Sequence, residues 1–279
     1  MESKGSDRKM HILIVGMGDT GRRVASLLVA AGHQVTGMRR HPQPQDGVDL
    51  LAQSALEPDF SMLAPIDQVC VILAPDQHDE ASYRQTFVQT IAPLATALAD
   101  HPVQRVLFVS STSVYGQSDG DWVDEHSTTE PQRYNGQVLC EAEQLWRRYY
   151  GDRVVVVRPS GIYGPSRERL LRWLDQAKPV AAQQWSNRIH VDDLAGFLAH
   201  LVRLSSVESL YIATDDCPVP LDQVLQGLAT ATDKPMVAVL ERLPHGKRLD
   251  NQRLKDSGFV LNYPNWSQGY QMQLCPHDA

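Results

Sequence analysis

The sequence lacks the features that mark membrane proteins and nucleic-acid-binding proteins. No apolar stretch approaches the ~20 residues that span a bilayer, and residues 1–9 are polar, without the hydrophobic segment of a secretory signal. No long run of lysine or arginine offsets the formal net charge of −7, so a nucleic-acid-binding surface is not expected. These absences predict a cytoplasmic protein with neither a membrane nor a nucleic acid among its partners.

Cysteine is scarce and dispersed. The cysteines form no Cys-x-x-Cys pair and have no histidine at the spacing of a metal ligand; they are Cys70, Cys140, Cys217 and Cys275. We therefore expect reduced thiols and no bound metal. The 279 residues, 42% of them hydrophobic, are enough to bury a substantial core in one large or two modest domains.

The most informative stretch is a short apolar segment that runs into a glycine-rich turn. Residues 11–15 are too few for a helix and are typical of a parallel strand buried on both faces. In such a turn the first glycine permits a tight bend, the second leaves room for a pyrophosphate, and the third lets the next helix pack on the strand. We expect the turn to bind dinucleotide phosphates at the helix N-terminus, an ordinary glycine-rich turn being the alternative. Its residues are Gly16, Met17, Gly18, Asp19, Thr20 and Gly21.

The second predicted strand, residues 34–38, ends in Arg39 and Arg40. NAD-binding sites have an acidic residue about 20 positions beyond the glycines, whereas NADP-binding sites have an arginine for the 2′-phosphate. Arg39 stands at this position with no Asp or Glu beside it. The pair favours NADP(H), with NAD(H) as an alternative cofactor; a solvated basic pair in a loop is the other explanation.

Further segments have the composition of buried parallel strands, and helical patterns separate them. Strands are predicted at residues 48–52, 69–75, 105–110 and 154–159, and helices at residues 79–99, broken only by Pro93, and 134–150. Six strands alternating with helices predict a doubly wound parallel α/β sheet of the Rossmann type. Ligands bind at the carboxyl ends of the strands in such a sheet, so polar residues that follow the strands are site candidates.

Beyond Pro165 the predicted elements are shorter and less regular. After an abrupt turn at residues 161–165, helices are expected near residues 167–178, 191–204, 221–232 and 251–257, with a strand at residues 210–214. This pattern predicts a flexible tail at residues 1–9, a dinucleotide-binding core at residues 10–165 and a smaller C-terminal α+β substrate lobe at residues 166–279. Part of residues 185–213 is expected to return to the core.

Three more motifs follow the glycine turn along the chain. They are Ser110-Ser111-Thr112-Ser113-Val114-Tyr115-Gly116, Arg158-Pro159-Ser160-Gly161-Ile162-Tyr163-Gly164-Pro165 and Arg188-Ile189-His190-Val191-Asp192-Asp193-Leu194-Ala195. In this order the four motifs resemble the extended and atypical short-chain dehydrogenases/reductases, the NAD-dependent epimerase/dehydratase-like proteins. The resemblance implies a Rossmann fold with a small C-terminal substrate lobe, a nicotinamide cofactor and substrates that are often nucleotide sugars.

The same resemblance implies roles for individual residues. Ser111, four residues before Tyr115, has the place of the family's catalytic serine or threonine. Segments that lie along the cofactor in the family match Ala74, Pro75, Pro159, Gly161 and Ile162. Candidates for the substrate pocket are Thr112, Tyr115 and Tyr163. For the two tyrosines, packing in the core or at its rim is the alternative.

The chain departs from the family at the catalytic tyrosine. The family has Tyr-x-x-x-Lys, in which the lysine lowers the tyrosine pKa; a phenol with a pKa of about 10 is a poor base at neutral pH without such a partner. Here Tyr134 is followed four residues later by Val138, and the other alignment of the helix pairs Asn135 with Leu139. The Gly-x-Gly-x-x-Gly spacing also resembles the atypical members.

We therefore expect an NADP(H)-binding oxidoreductase or epimerase-like enzyme for a small polar, nucleotide-sugar-derived substrate. Ser111 and Tyr134 would polarise the reacting oxygen of the substrate while the cofactor carries the chemistry. The alternative is a catalytically inactive NADP(H)-binding sensor or scaffold protein. A cation within reach of Tyr134 favours the enzyme, and an apolar wall formed by Val138 or Leu139 favours the alternative. A homodimer is one option for the assembly.

Overall fold

The structure, a computed structural model, describes residues 8–241 and 243–274. Its strands are β1 (His11–Val15), β2 (Gln34–Arg39), β3 (Val48–Ala52), β4 (Gln68–Val71), β5 (Arg105–Val109), β6 (Asp119–Val123), β7 (Val154–Pro159), β8 (Gly161–Tyr163), β9 (Val180–Ala181), β10 (Trp185–Ser186), β11 (Arg188–His190), β12 (Leu210–Ala213), β13 (Val219–Pro220), β14 (Val239–Leu240) and β15 (Gly246–Leu249). Its α-helices are α1 (Asp19–Ala30), α2 (Glu80–Phe87), α3 (Ile91–Ala97), α4 (Tyr134–Tyr150), α5 (Arg169–Asp175), α6 (Val191–Arg203), α7 (Leu221–Ala231), α8 (Gln252–Asp256) and α9 (Trp266–Leu274).

One parallel sheet of seven strands dominates this arrangement, in the order β12-β7-β5-β4-β1-β2-β3. The chain runs from β1 outward to β2 and β3 and then returns to β4 on the other side of β1, so the order reverses there. Such a switch point is where open α/β sheets bind their ligands. The predicted doubly wound sheet is confirmed. It contains one strand more than the six expected, because Leu210–Ala213 joins its edge beside β7.

The chain divides into two compact units. The first contains Met1–Val114, Thr129–Arg158 and Ala195–Tyr211, and the second contains Tyr115–Thr128, Pro159–Leu194 and Ile212–Ala279. The predicted domain boundaries stay predictions. Most of the predicted tail lies outside the described residues.

The core of the first unit follows from the composition of its strands. All five residues of β1 and all four of β4 are buried, as expected for strands with helices on both faces. Helix α4 packs the Trp146 ring against that of Phe108 on β5, with 6.3 Å between ring centroids. Helix α4 and strand β7 begin and end at the predicted residues.

The predicted helix at residues 79–99 is two helices, and the prediction of a break at Pro93 is wrong. The break lies between Phe87 and Ile91, so Pro93 falls within the first turn of α3. Proline is tolerated there because the first backbone N–H groups of a helix have no intrahelical acceptor. The interruption therefore precedes the proline.

The second unit is built from short strands around helix α7. The segment predicted as an abrupt turn after Ser160 forms strand β8, which pairs in parallel with β11. Strand β6, which the sequence did not indicate, pairs with β15 from the C-terminal region. Helix α7 presents Leu225 and Leu228 to a buried core that also contains Tyr270. None of the helices in the described ranges has the length and apolar composition needed to cross a membrane.

Candidate dinucleotide site

The three glycines of the turn after β1 do two different jobs. Gly16 has a φ of +109°, and a Cβ there would lie 2.1 Å from the carbonyl oxygen of Ile72. A Cβ on Gly21 would lie 2.2 Å from the carbonyl oxygen of Gly16. A Cβ on Gly18 would meet no described atom within 4 Å, although the φ of −80° suits any residue. Packing therefore requires Gly16 and Gly21, whereas Gly18 leaves space open in front of helix α1.

Helix α1 begins at this open space. The N-cap residue of the helix is Gly18, which has no side chain that could accept a hydrogen bond from the first turn. The first N–H groups of a helix carry partial positive charge and attract anions. Thr20 is buried, and the Asp19 carboxylate accepts a hydrogen bond of 3.0 Å from Arg23. The helix start thus provides backbone donors for an anionic group such as a phosphate.

A cavity of about 440 Å³ lies at this edge of the first unit. It is large enough for a small-molecule ligand, since such pockets have volumes of about 300–1,000 Å³. The cavity brings together the cofactor residues that the sequence predicted on β1, β2 and β4: Gly16, Gly18, Arg39, Arg40, Ala74 and Pro75. Its lining also includes residues that the sequence analysis missed, among them Gln53, Ser54, Asp76 and Thr86.

The two arginines have different partners. Arg39 donates from Nη1 to the carbonyl oxygen of Met17 at 3.3 Å. Arg40 donates from Nη2 to Oδ1 of Asp76 at 2.7 Å, and this hydrogen bond lowers the pKa of Asp76. Asp76 was missed because it stands 36 positions beyond Arg40. The signal that would have found it is its place after β4, at the carboxyl end of a strand.

The catalytic candidates lie in the first unit at two turns. The Ser111 Oγ accepts a hydrogen bond of 3.1 Å from the Ser113 N–H, and Thr112 opens a short 3₁₀ turn. Tyr134 is the first residue of α4, and its hydroxyl donates to the carbonyl oxygen of His78 at 2.7 Å. Val138, four residues after Tyr134, is fully buried.

Helix α4 is fixed tightly against the serine motif. A Cβ on Gly136 would lie 2.3 Å from the carbonyl oxygen of Ser113, so the first turn of α4 touches the 3₁₀ turn directly. Further along the helix, the buried Glu143 carboxylate accepts from the Ser110 Oγ at 2.6 Å. Arg158 completes this cluster, with Nε at 3.0 Å and Nη2 at 2.6 Å from the Glu143 oxygens. These contacts set the position of the serine motif.

The remaining predicted site residues belong to the second unit. Pro159 ends β7, and Gly161 and Ile162 form β8, whose backbone is held by β11. The Tyr163 ring is 3% exposed and stacks on Tyr270, with 4.7 Å between centroids; burial raises the pKa of its hydroxyl. Tyr115 is also buried, and its carbonyl oxygen accepts a hydrogen bond from the Lys247 ammonium. Their roles in binding stay predictions.

The second unit contains a buried acidic residue, Asp215, that was not among the predicted site residues. Asp215 is 2% exposed, and its Oδ1 accepts from the Cys217 N–H at 3.2 Å. Its Oδ2 has no hydrogen-bond partner among the described residues. Burial raises the pKa of Asp215 to about 8, although the nearby Arg188 guanidinium opposes the shift. Burial thus favours the protonated form of Asp215.

The part of the chain that the structure describes contains no cluster of three histidine, cysteine or acidic side chains arranged to hold a metal ion. Cys70, Cys140 and Cys217 are free thiols, and Cys275 lies outside the described residues. The fold and its glycine turn define a Rossmann-type protein with the geometry of a dinucleotide-binding domain.

Comparison with known proteins gives the family. The model of the NAD dependent epimerase/dehydratase family matches residues 12–209. The chain belongs to this family, which confirms the resemblance drawn from the four motifs.

Individual relatives agree with the family assignment. A structure from Methylobacillus flagellatus, assigned to the NAD-dependent epimerases/dehydratases, is 36% identical with a TM-score of 0.82, covering 96% of this chain and 98% of that one. Protein YeeZ of Escherichia coli K12 is 26% identical over 212 residues, which are 72% of this chain and 76% of YeeZ. The human epimerase family protein SDR39U1, solved with NADPH, is 21% identical with a TM-score of 0.74, covering 92% and 96% of the two chains; this likeness shows the fold alone.

Proposed function

We propose that the chain binds NADP(H) and acts as an oxidoreductase or epimerase on a small polar substrate of the nucleotide-sugar type. The observation that supports this best is a single cavity lined by both the glycine turn and the arginines at the end of β2. Membership in a nicotinamide-dependent family supplies the cofactor class, and the family resemblance supplies the substrate class.

The residues of the cavity fit a dinucleotide. The backbone from Gly16 to Gly21 would hold the pyrophosphate, because a Cβ on Gly18 would fill the space that the phosphate needs. Arg39 and Arg40 would hold the 2′-phosphate, since guanidinium groups bind phosphates through two hydrogen bonds. By family resemblance Ala74, Pro75, Pro159, Gly161 and Ile162 are assigned to the rest of the cofactor. A bound nicotinamide would supply a hydride donor or acceptor.

Ser111 and Tyr134 are the proposed catalytic residues. A serine or tyrosine hydroxyl that donates a hydrogen bond to a substrate oxygen stabilises the negative charge that develops on it. In the family a lysine four residues after the tyrosine lowers the tyrosine pKa. Neither alignment of the helix supplies this lysine here, since Val138 follows Tyr134 and Leu139 follows Asn135 at that spacing. We therefore assign Tyr134 a role as a hydrogen-bond donor and not as the base. Its single O–H donates to the His78 carbonyl oxygen and would exchange this acceptor for the substrate oxygen. Thr112, Tyr115 and Tyr163 complete the proposed substrate contacts.

The second candidate function is an NADP(H)-binding sensor or scaffold without turnover. It is favoured by the apolar face of α4, where Val138 and Leu139 are both buried. The two candidates differ in turnover. The test incubates the purified chain with NADP⁺ or NADPH and a panel of UDP- and dTDP-sugars. Absorbance reports the redox state of the cofactor, and chromatography reports the sugars. An enzyme converts a sugar, and a sensor converts none.

A cytoplasmic location and a homodimer stay predictions.

The cofactor proposal is tested by calorimetric titration of NADPH and NADH. The wild-type chain should bind NADPH more tightly. Arg39→Ala should weaken NADPH binding at least about tenfold, since a charge-assisted hydrogen bond is lost, and should leave NADH binding unchanged. The matched control is Arg8→Ala, which removes an exposed arginine that does not line the cavity. Tighter binding of NADH, or no loss in Arg39→Ala, contradicts NADP(H) specificity; binding of neither dinucleotide contradicts the site itself.

A further inference from the structure

We propose that Asp76 is a specificity residue, which weakens NADP(H) binding by competing with the 2′-phosphate for Arg40. The inference rests on the proposed NADP(H) function and adds a residue that opposes the preference set by the two arginines. It starts from one observation, the ion pair between Arg40 and Asp76 within the lining of the cavity.

The ion pair joins the two strands that flank β1. Strands β2 and β4 each pair with β1, on opposite sides. Adjacent strands are about 4.8 Å apart, so the ends of β2 and β4 are separated by about twice that distance. Arg40 directly follows β2, and Asp76 lies in the loop after β4. Their hydrogen bond of 2.7 Å therefore connects the two sides of the glycine turn that follows β1.

The ion pair is weak enough for Arg40 to exchange the Asp76 carboxylate for a phosphate. The side chains of Arg40 and Asp76 are 61% and 65% exposed, and exposed ion pairs contribute little to stability because water and salt screen them. A phosphate monoester carries about −1.5 to −2 charges at neutral pH and offers three acceptor oxygens, whereas a carboxylate carries one charge and offers two oxygens. A 2′-phosphate beside Arg40 would displace Asp76 from the guanidinium.

Displacing Asp76 from Arg40 lowers the affinity for NADP(H) alone. Arg40 loses its carboxylate partner, and the Asp76 carboxylate stays close to a second anionic group. NAD(H) has a 2′-hydroxyl at this position, so it leaves the pair intact. Arg39 behaves differently, because its partner is the uncharged carbonyl oxygen of Met17. Asp76 thus lowers the ratio of NADP(H) to NAD(H) affinity that Arg39 and Arg40 would otherwise give.

The test uses two fragments that differ only at the 2′ position, adenosine 2′,5′-bisphosphate and adenosine 5′-monophosphate, titrated by calorimetry into the full chain. In Asp76→Asn the amide keeps the size of the side chain and removes its charge. We expect binding of the 2′,5′-bisphosphate to tighten roughly three- to tenfold, as expected for removal of one nearby negative charge. Binding of the 5′-monophosphate should not change. Adding Arg40→Gln to Asp76→Asn should abolish the gain.

The matched control is Asp100→Asn, which removes an exposed carboxylate from another surface of the first unit. It should leave both affinities unchanged. If the wild-type chain binds the 2′,5′-bisphosphate more tightly than the monophosphate but Asp76→Asn shows no further gain, or an equal gain for both fragments, the role of Asp76 is wrong while the NADP(H) proposal stands. If neither fragment binds the wild-type chain or any variant, the proposed function itself is wrong and the role of Asp76 is lost with it.

Discussion

The three glycines of the turn after β1 differ in whether they serve the fold or the proposed binding site. The Gly-x-Gly-x-x-Gly spacing predicts a separate role for each glycine. The structure adds where a side chain would collide: a Cβ would meet backbone at Gly16 and Gly21 but would enter open space at Gly18. These distances depend on the three-dimensional surroundings and not on the spacing. The difference makes Gly18 the position where binding can be weakened without damage to the fold.

Gly18→Ala should weaken dinucleotide binding and leave stability nearly unchanged. The new methyl group would occupy the space proposed for the pyrophosphate, while its backbone conformation suits alanine. We expect NADPH affinity to fall by at least about tenfold, the loss for about 1.4 kcal/mol of binding free energy. The melting temperature, measured by circular dichroism, should stay at the wild-type value. Gly16→Ala is the contrasting variant and should lower it clearly, because its methyl group would overlap the Ile72 carbonyl. Unchanged NADPH binding in Gly18→Ala contradicts the site.

Arg39, Arg40 and Asp76 show which residues of the site the sequence could predict and which it could not. Arg39 and Arg40 were identified because they follow a predicted strand at a spacing that has a known chemical meaning. Asp76 belongs to the loop after β4, and its pairing with Arg40 depends on β2 and β4 lying on either side of β1. Such a pairing requires the topology as well as the local pattern.

Secondary structure elements were predictable where periodicity was strong. Helix α4 and strands β1, β3 and β7 have the predicted bounds. Strands β1 and β7 bury every residue and α4 buries one largely apolar face, whereas β3 buries none of its five residues. Charged side chains are mostly solvent-exposed in proteins, so the sequence pattern gave no indication of the buried cluster on α4. Glu143 is 6% exposed because its acceptors are satisfied by Ser110 and Arg158.

Glu143→Gln should destabilise the chain by about 3–5 kcal/mol, the cost of breaking a buried ion pair from one side. The variant leaves the buried Arg158 guanidinium without its counter-charge and removes the link between α4 and β7. Urea unfolding followed by tryptophan fluorescence measures the change.

The control for this prediction is the double variant Glu143→Leu with Arg158→Met. Replacing both members of a buried pair by apolar residues of similar volume is often neutral, so it should recover most of the stability. A small effect of Glu143→Gln, or a double variant less stable than the single one, shows that the ion pair does not hold α4 in place.

At the scale of the whole molecule, the order of the elements was predictable and the long-range pairings were not. Regular alternation of strands and helices fixed the Rossmann class up to β7. A strand at residues 210–214 and a return of part of residues 185–213 to the core were predicted, but not the pairing of β12 with β7 at the edge of the sheet. The pairing of β6 with β15, more than 100 residues further along the chain, was not predicted either. Strand β6 carries too little apolar periodicity to be recognised from the sequence alone, since two of its five residues are buried and three are exposed.

The pH dependence of stability should reveal the buried acid of the second unit. Burial raises the pKa of Asp215 to about 8 in the folded chain, whereas the unfolded value is the ordinary 3.8. The folded state therefore binds the proton more tightly, and the free energy of unfolding falls as the pH rises from about 4 to about 8. Each pKa unit corresponds to about 1.4 kcal/mol, so the shift from 3.8 to about 8 sets an upper limit of about 6 kcal/mol on the loss. Asp215→Asn mimics the protonated acid, so it should flatten this dependence and be more stable than the wild type at the alkaline end.

Urea unfolding at pH values from about 4 to about 8 measures the free energy of unfolding. Asp256→Asn, which changes an exposed carboxylate, is the control and should keep the wild-type slope. An Asp215→Asn variant with the wild-type slope would show that Asp215 is ionised in the fold, and that Arg188 outweighs its burial.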